Sequence, residues 1–158
     1  MKRFAICLLA AALSACATPL VAPDALAPGP DGTDWIFSAE GDEGYLAFGT
    51  PESDDLRLGL RCRRGEADLE VTQIVPRGSR DEIALRAGGV TRRFPARSEP
   101  EQMSGGEFLT ATVAGSDPVI AAFRASGRLD AVRPGGRSET FAPQPGTTTV
   151  ADFFEWCG

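Results

Sequence analysis

LRLGLRCRRGEADLEVTQ, residues Leu56 to Gln73, decides the fold class. Leu56, Leu58, Leu60 and Cys62 alternate with Arg57, Gly59, Arg61 and Arg63, the period-2 signature of a half-buried strand. Arg64-Gly65 supplies a two-residue turn. Folding the chain there sets Cys62 opposite Ala67, Leu60 opposite Leu69 and Leu58 opposite Val71 on the apolar face. On the other face Arg63 meets Glu66 and Arg61 meets Asp68. Both faces agree on this register, and exposed charge pairs of this kind help to specify alignment.

Outward from this hairpin the chain keeps the same character. A second hairpin turns at Gly88-Gly89, pairing Ala87 with Val90 and Ile83 with Phe94. It also sets Arg92 opposite Leu85 on the apolar face, so either this register is wrong or Arg92 is a partly buried arginine that needs an acceptor. The first explanation is favoured. Further strands are expected at Asp34–Ala39, Gly44–Gly49, Glu107–Ala114, Arg128–Arg133 and Arg137–Ala142, with frequent Gly and Pro between them.

Two helices interrupt the strands. Ser116-Asp117-Pro118 reads as an N-cap followed by proline in the first turn, opening Pro118–Ala125 and closing at Gly127. Thr149 with Asp152 resembles a capping box. Val150, Phe153, Phe154 and Cys157 then fall on one helical face. Cys62 faces inward on its strand and Cys157 faces inward on its helix, so a disulfide is expected to staple the terminal helix across the sheet. The expected fold is mainly β with two short helices (α+β), an antiparallel sheet or sandwich with the C-terminal helix packed on it.

The N-terminus is organised differently. Lys2 and Arg3 precede an apolar run, Phe4 to Leu13, too short to span a bilayer as a helix. Leu13-Ser14-Ala15-Cys16 then resembles the lipobox of bacterial lipoprotein signal peptides. The resemblance implies that residues 1–15 are removed and that Cys16 carries acyl chains, two or more of which anchor a protein stably. Ala17, in place of the aspartate that retains such proteins at the inner membrane in enteric bacteria, favours the periplasmic face of the outer membrane. The alternative is an ordinary secretory signal cut at another small residue. Residues 16–32, rich in Pro and Ala, read as a tether extending ~3.1 Å per residue, and 33–158 as one globular domain.

From Pro118 onward the order helix, strand, strand, helix, terminal Cys resembles small exported proteins of the invasion-associated and type VI secretion-associated families. That likeness is one of pattern, and it brings no residue roles with it.

Composition excludes several chemistries. Loss of Lys2 and Arg3 with the leader lowers 16 basic residues to 14, all arginine, against 22 acids, so the formal charge moves from −6 to −8. A net anion of this size disfavours nucleic acid and anionic lipid as general partners. The chain has no histidine, which removes imidazole bases and the commonest transition-metal ligand. A mature lysine is also lacking, so Schiff-base chemistry has no amine. Cys62 and Cys157 lie far from a Cys-x-x-Cys spacing and read as a structural disulfide of an oxidising compartment.

Two charge clusters remain as candidate sites. Arg77, Arg80, Arg92, Arg93 and Arg97 form a basic run suited to phosphate or carboxylate recognition. Glu40, Asp42, Glu43, Glu52, Asp54 and Asp55 form an acidic run without the spacing of a calcium loop. Ser104-Gly105-Gly106 lacks the rest of a phosphate loop and reads as a turn. No catalytic, metal or cofactor motif is present. The expected function is a non-enzymatic, lipid-anchored envelope module that binds an envelope protein or a cell-wall component. The alternatives are an inhibitor of a cationic cell-wall hydrolase and, third, an Asp/Glu hydrolase.

Overall fold

A computed structural model describes residues 32–102, 105–133 and 137–158. The expected leader (1–15), the lipidation residue Cys16 and nearly all of the tether lie outside the described residues, as does Ser104. The strands are β1 (Asp34–Glu40), β2 (Glu43–Gly49), β3 (Leu56–Arg63), β4 (Asp68–Val75), β5 (Glu82–Ala87), β6 (Val90–Pro95), β7 (Arg97–Pro100), β8 (Glu107–Ala114), β9 (Leu129–Val132) and β10 (Ser138–Phe141). Helices α1 (Pro118–Ser126) and α2 (Thr149–Cys157) complete the fold. All strand pairs are antiparallel and form two sheets, one in the order β1-β2-β3-β4-β8-β7 and one in the order β10-β9-β5-β6. The chain changes sheets at Ala96, between β6 and β7, whose amide donates to Asp81 O at 2.9 Å. Helix α2 packs against β1 and β2, and α1 against β5 and β6. The mainly β sandwich with a packed C-terminal helix is therefore the fold.

The first hairpin forms, but two residues out of the expected register. Glu66 N donates to Arg63 O at 2.9 Å, so the turn is at Arg64-Gly65. The ladder resumes only at Cys62–Leu69, with Leu60 opposite Val71, Leu58 opposite Gln73 and Arg61 opposite Glu70. The cause lies outside the hairpin. Arg64 N bonds to Asp42 O, Gly65 N to Cys157 O, and Ala67 O accepts from Gly115 N, which draws Glu66 and Ala67 out of the ladder. A slip of two leaves every side chain on its expected face, so alternation alone cannot distinguish the registers.

The second hairpin takes the register that the position of Arg92 argued against. Ile83 pairs with Phe94, Leu85 with Arg92 and Ala87 with Val90. Gly88 and Gly89 both have positive φ, 54° and 79°, as a primed two-residue turn requires. Arg92 is not buried: β6 is an edge strand and the side chain is exposed, with Nε 3.1 Å from Asp117 Oδ2.

Helix α1 opens as expected. The Asp117 side chain accepts from Val119 N, Pro118 occupies the first turn, and Gly127 caps the end at φ 68°. Helix α2 starts one residue away from expectation. Thr148, not Thr149, is the N-cap, and no side chain caps the backbone; the Thr148 hydroxyl bonds Asp152 Oδ2 at 2.9 Å instead. Its apolar face is the expected one, with Val150, Phe153, Phe154 and Cys157 buried.

The core lies between the six-stranded sheet and the layer made by the second sheet and the helices. At its centre Trp35 packs against Phe48, Phe123 and Phe141, with ring centroids 5.3, 5.1 and 6.3 Å away. Its indole N–H donates to Gly127 O at 3.1 Å, so the buried polar end is satisfied and the helix terminus is tied to β1.

Candidate functional site

Cys62 and Cys157 form a disulfide with Cα atoms 5.9 Å apart. The arginine run, by contrast, is not gathered into one patch. Arg92 and Arg93 are neighbours on a strand and so project to opposite faces. Arg92 reaches Asp117, whereas Arg93 and Arg80 converge on Glu82 at 2.8 and 4.0 Å. Arg97 lies on β7 opposite Thr110, and Arg77 is exposed in the β4–β5 loop.

The acidic run is also divided. Glu40, Asp42 and Glu43 sit at the β1–β2 turn, while Glu52, Asp54 and Asp55 sit in the loop at the other end of β2. A seven-residue strand separates them by ~20 Å. Among the described residues no group of three or more His, Cys, Asp or Glu is placed to hold a metal ion. Gly106 O accepts the Glu101 amide at 3.0 Å, beside the paired ends of β7 and β8.

What the fold does gather is an apolar surface. Tyr45 (38 % exposed), Leu56 (43 %) and Phe108 (37 %) are the large hydrophobic side chains left exposed among the described residues. All three lie on the outer face of the six-stranded sheet or at its margin, the side away from the helices. The strand registers run a row across this face from Ile36 through the small residues Ala47, Gly59, Thr72 and Thr110. Gly59 makes the floor. A Cβ placed there would meet only Thr72 O, at 3.9 Å. The result is a groove of about 480 Å³ lined by residues including Ile36, Tyr45, Ala47, Leu56 and Gly59. It continues past Leu56 to Ile74 and Phe108.

A charged row borders the groove. Arg61 Nη2 lies 2.9 Å from Glu70 and its Nη1 lies 3.7 Å from Glu43. Arg63 bonds Glu43 at 3.0 Å. The Tyr45 hydroxyl donates to Glu43 Oε2. That bond, with the one from Arg63, holds the Glu43 carboxyl below its usual range, and the same Glu43 contact pushes the Tyr45 phenol up. This row has both signs and is largely self-neutralised.

The second concave feature is a cavity of about 250 Å³ where the two sheets meet. Gln73, Val75 and Leu109 line it from the six-stranded sheet, and Ala84 and Val132 from the other. Arg80, Arg133 and Arg137 stand at its edge with Glu82. Of these arginines only Arg80 belongs to the run singled out by sequence. Gln73 had a readable signal: it continues the inward series Leu69, Val71, Gln73, Val75, where a polar residue is out of place.

Among the described residues no helix is long and apolar enough to cross a membrane. No family model, curated protein or solved structure matches the chain.

Proposed function

We propose that this protein is a non-enzymatic binding module of the bacterial cell envelope, held to a membrane by acyl groups on Cys16, and that it docks a protein partner on the outer face of its six-stranded sheet. The gathering of Tyr45, Leu56 and Phe108 around the Gly59 groove carries this reading, because contiguous exposed apolar surface rimmed by polar residues marks interaction sites. Charge selects the occupant. The rim pairs Arg61 and Arg63 with Glu43 and Glu70 and has no excess of positive charge for a polyanion. A mature formal charge of −8 also repels an anionic lipid surface. A protein with its own apolar side chains fits both conditions. The Cys62–Cys157 disulfide supports a compartment outside the reducing cytoplasm.

The inhibitor alternative rests on the acidic run, and the division of those acids between the two ends of β2 offers it no concentrated acidic face. A photo-crosslinking residue at position 56 or 108, with position 121 on α1 as control, tests the proposal in native envelopes. One discrete adduct from 56 and 108 but not from 121 is expected. Equal labelling from all three would refute a dedicated face. Fractionation of a Cys16→Ser chain tests the anchor, which requires its release from the membrane pellet.

A further inference from the structure

The inter-sheet cavity is separate from the outer face, and its chemistry is different. Gln73 is 5 % exposed and sits between Leu58 and Leu109 in the ladder, both of them buried. Its side-chain amide has no hydrogen-bond partner among the described residues, yet neither polar atom is sealed off, and the residue lines the cavity. A buried amide without a protein partner destabilises a fold unless water or a ligand satisfies it. A leucine at this position would match the rest of the stripe.

The walls beside the amide are apolar, from Val75, Ala84, Leu109 and Val132. The edge is basic. Arg133 bonds Glu139 at 2.6 Å and Arg80 shares Glu82 with Arg93. Arg137 has no carboxylate within ion-pair distance among the described residues, and its backbone oxygen accepts from Arg133 N at 2.7 Å, which holds the two arginines on facing strand ends. With Arg133 paired to Glu139 and Arg80 to Glu82, Arg137 supplies the uncompensated positive charge at the edge. Its volume of about 250 Å³ is below the ~300–1,000 Å³ of ordinary small-molecule sites.

We propose that this cavity binds a small organic oxyanion with a short apolar body. The anionic group pairs with Arg133 and Arg137, the body lies against Val75, Leu109 and Val132, and a polar atom of the ligand satisfies the Gln73 amide. Guanidinium presents paired donors to an oxyanion. The Gln73 amide, which both donates and accepts, selects ligands with a polar group at depth.

The test uses nuclear magnetic resonance on the full-length chain, which has three glutamines (Gln73, Gln102, Gln144) and no asparagine. Its side-chain NH₂ signals therefore report each site separately. The probes are N-acetylalanine, ethyl phosphate and the neutral N-acetylalaninamide. Movement of the Gln73 signals by either acid, with Gln102 and Gln144 stationary, supports the site, and the more effective acid identifies carboxylate or phosphate as the ligand class. The neutral probe should bind at least about tenfold more weakly, and Arg133→Gln with Arg137→Gln should remove that difference. Gln73→Leu should weaken binding of the acid by about tenfold while leaving the backbone spectrum and thermal midpoint intact or raised. Gln73 signals that stay fixed with both acids, or that move equally with the neutral probe, would overturn the proposal. Arg133 also stands beside Leu56 and Phe108, so the variants that separate this site from the partner-docking face are Gln73→Leu and Arg137→Gln, both outside the Gly59 groove.

Discussion

Cys62, facing inward from β3, and Cys157, at the end of α2, are joined across 95 positions of sequence, and the same helix end also accepts a hydrogen bond from Gly65 N at the first hairpin turn. The terminal helix is thus fastened to the turn whose register it helps to displace. Reduction, or a Cys62→Ser/Cys157→Ser double substitution, should lower stability by up to ~4.7 kcal/mol, the chain-entropy value for a loop of about 100 residues. Denaturant unfolding with and without reductant measures the loss. Hydrogen exchange should quicken first in α2 and at Gly65, and uniform quickening would contradict this coupling.

Asp117 performs two tasks: its side chain caps Val119 N at 3.0 Å and accepts from Arg92 Nε at 3.1 Å. Asp117→Ala should cost ~0.5–2 kcal/mol through the lost cap. Arg92→Ala, removing an exposed partner, should cost only ~0.2–1 kcal/mol. A double-mutant cycle by thermal or urea unfolding reads the coupling, which should be no larger than the Arg92→Ala effect.

Two glycines of the six-stranded sheet should respond oppositely to alanine. A Cβ at Gly44 would lie 2.8 Å from the Trp156 ring and 3.1 Å from Cys62 Sγ. Overpacking of this kind costs ~1–3 kcal/mol. At Gly59 the nearest atom, Thr72 O, is 3.9 Å away, so Gly59→Ala should stabilise by ~0.5–1 kcal/mol through lower chain entropy. Unfolding midpoints of the two variants must move in opposite directions.

Tyr45 is the single tyrosine of the chain, so phenolate absorbance reports it alone. Its midpoint should lie above the ordinary 10.0, because the neutral phenol donates to Glu43. That contribution to stability is full below pH 10.0 and is lost as pH rises through the raised value. For Glu43, lowered from 4.5 by the bonds from Tyr45 and Arg63, the contribution is present above that value and is lost as pH falls through the depressed one. Glu43→Gln should return the tyrosine midpoint towards 10.0.

Much of this architecture was legible in the chain because alternation and capping are local. The strand around Trp35, the hairpin turns at Arg64-Gly65 and Gly88-Gly89, the apolar face of α2 and the Cys62–Cys157 pairing all follow from period and position. The failures are tertiary. The ladder slip after Arg64 depends on Asp42, Gly115 and Cys157, all distant in sequence. Strand β7, Arg-Ser-Glu-Pro, is an exposed edge strand paired only to β8 and has no apolar period to reveal it. Arg92 looked misplaced because an edge position cannot be told from a central one by alternation. The arginine run looked like a patch because sequence proximity hides the opposite projection of neighbouring strand residues. The outer groove was half visible, in Gly59 among the arginines of β3, but only the assembled sheet sets it beside Tyr45, Leu56 and Phe108.

The most direct test of the docking face uses Gly59→Val, which fills the groove floor at a position where the backbone has room. Intact and Gly59→Val chains serve as parallel baits for crosslinking capture from native envelopes, after unfolding midpoints have shown both to be folded. The expected result is one stoichiometric protein partner retained by the intact chain and lost from the variant. Equal capture by both baits, or recovery of nothing beyond lipid and abundant porins by either, would contradict the assignment of this face as the binding surface.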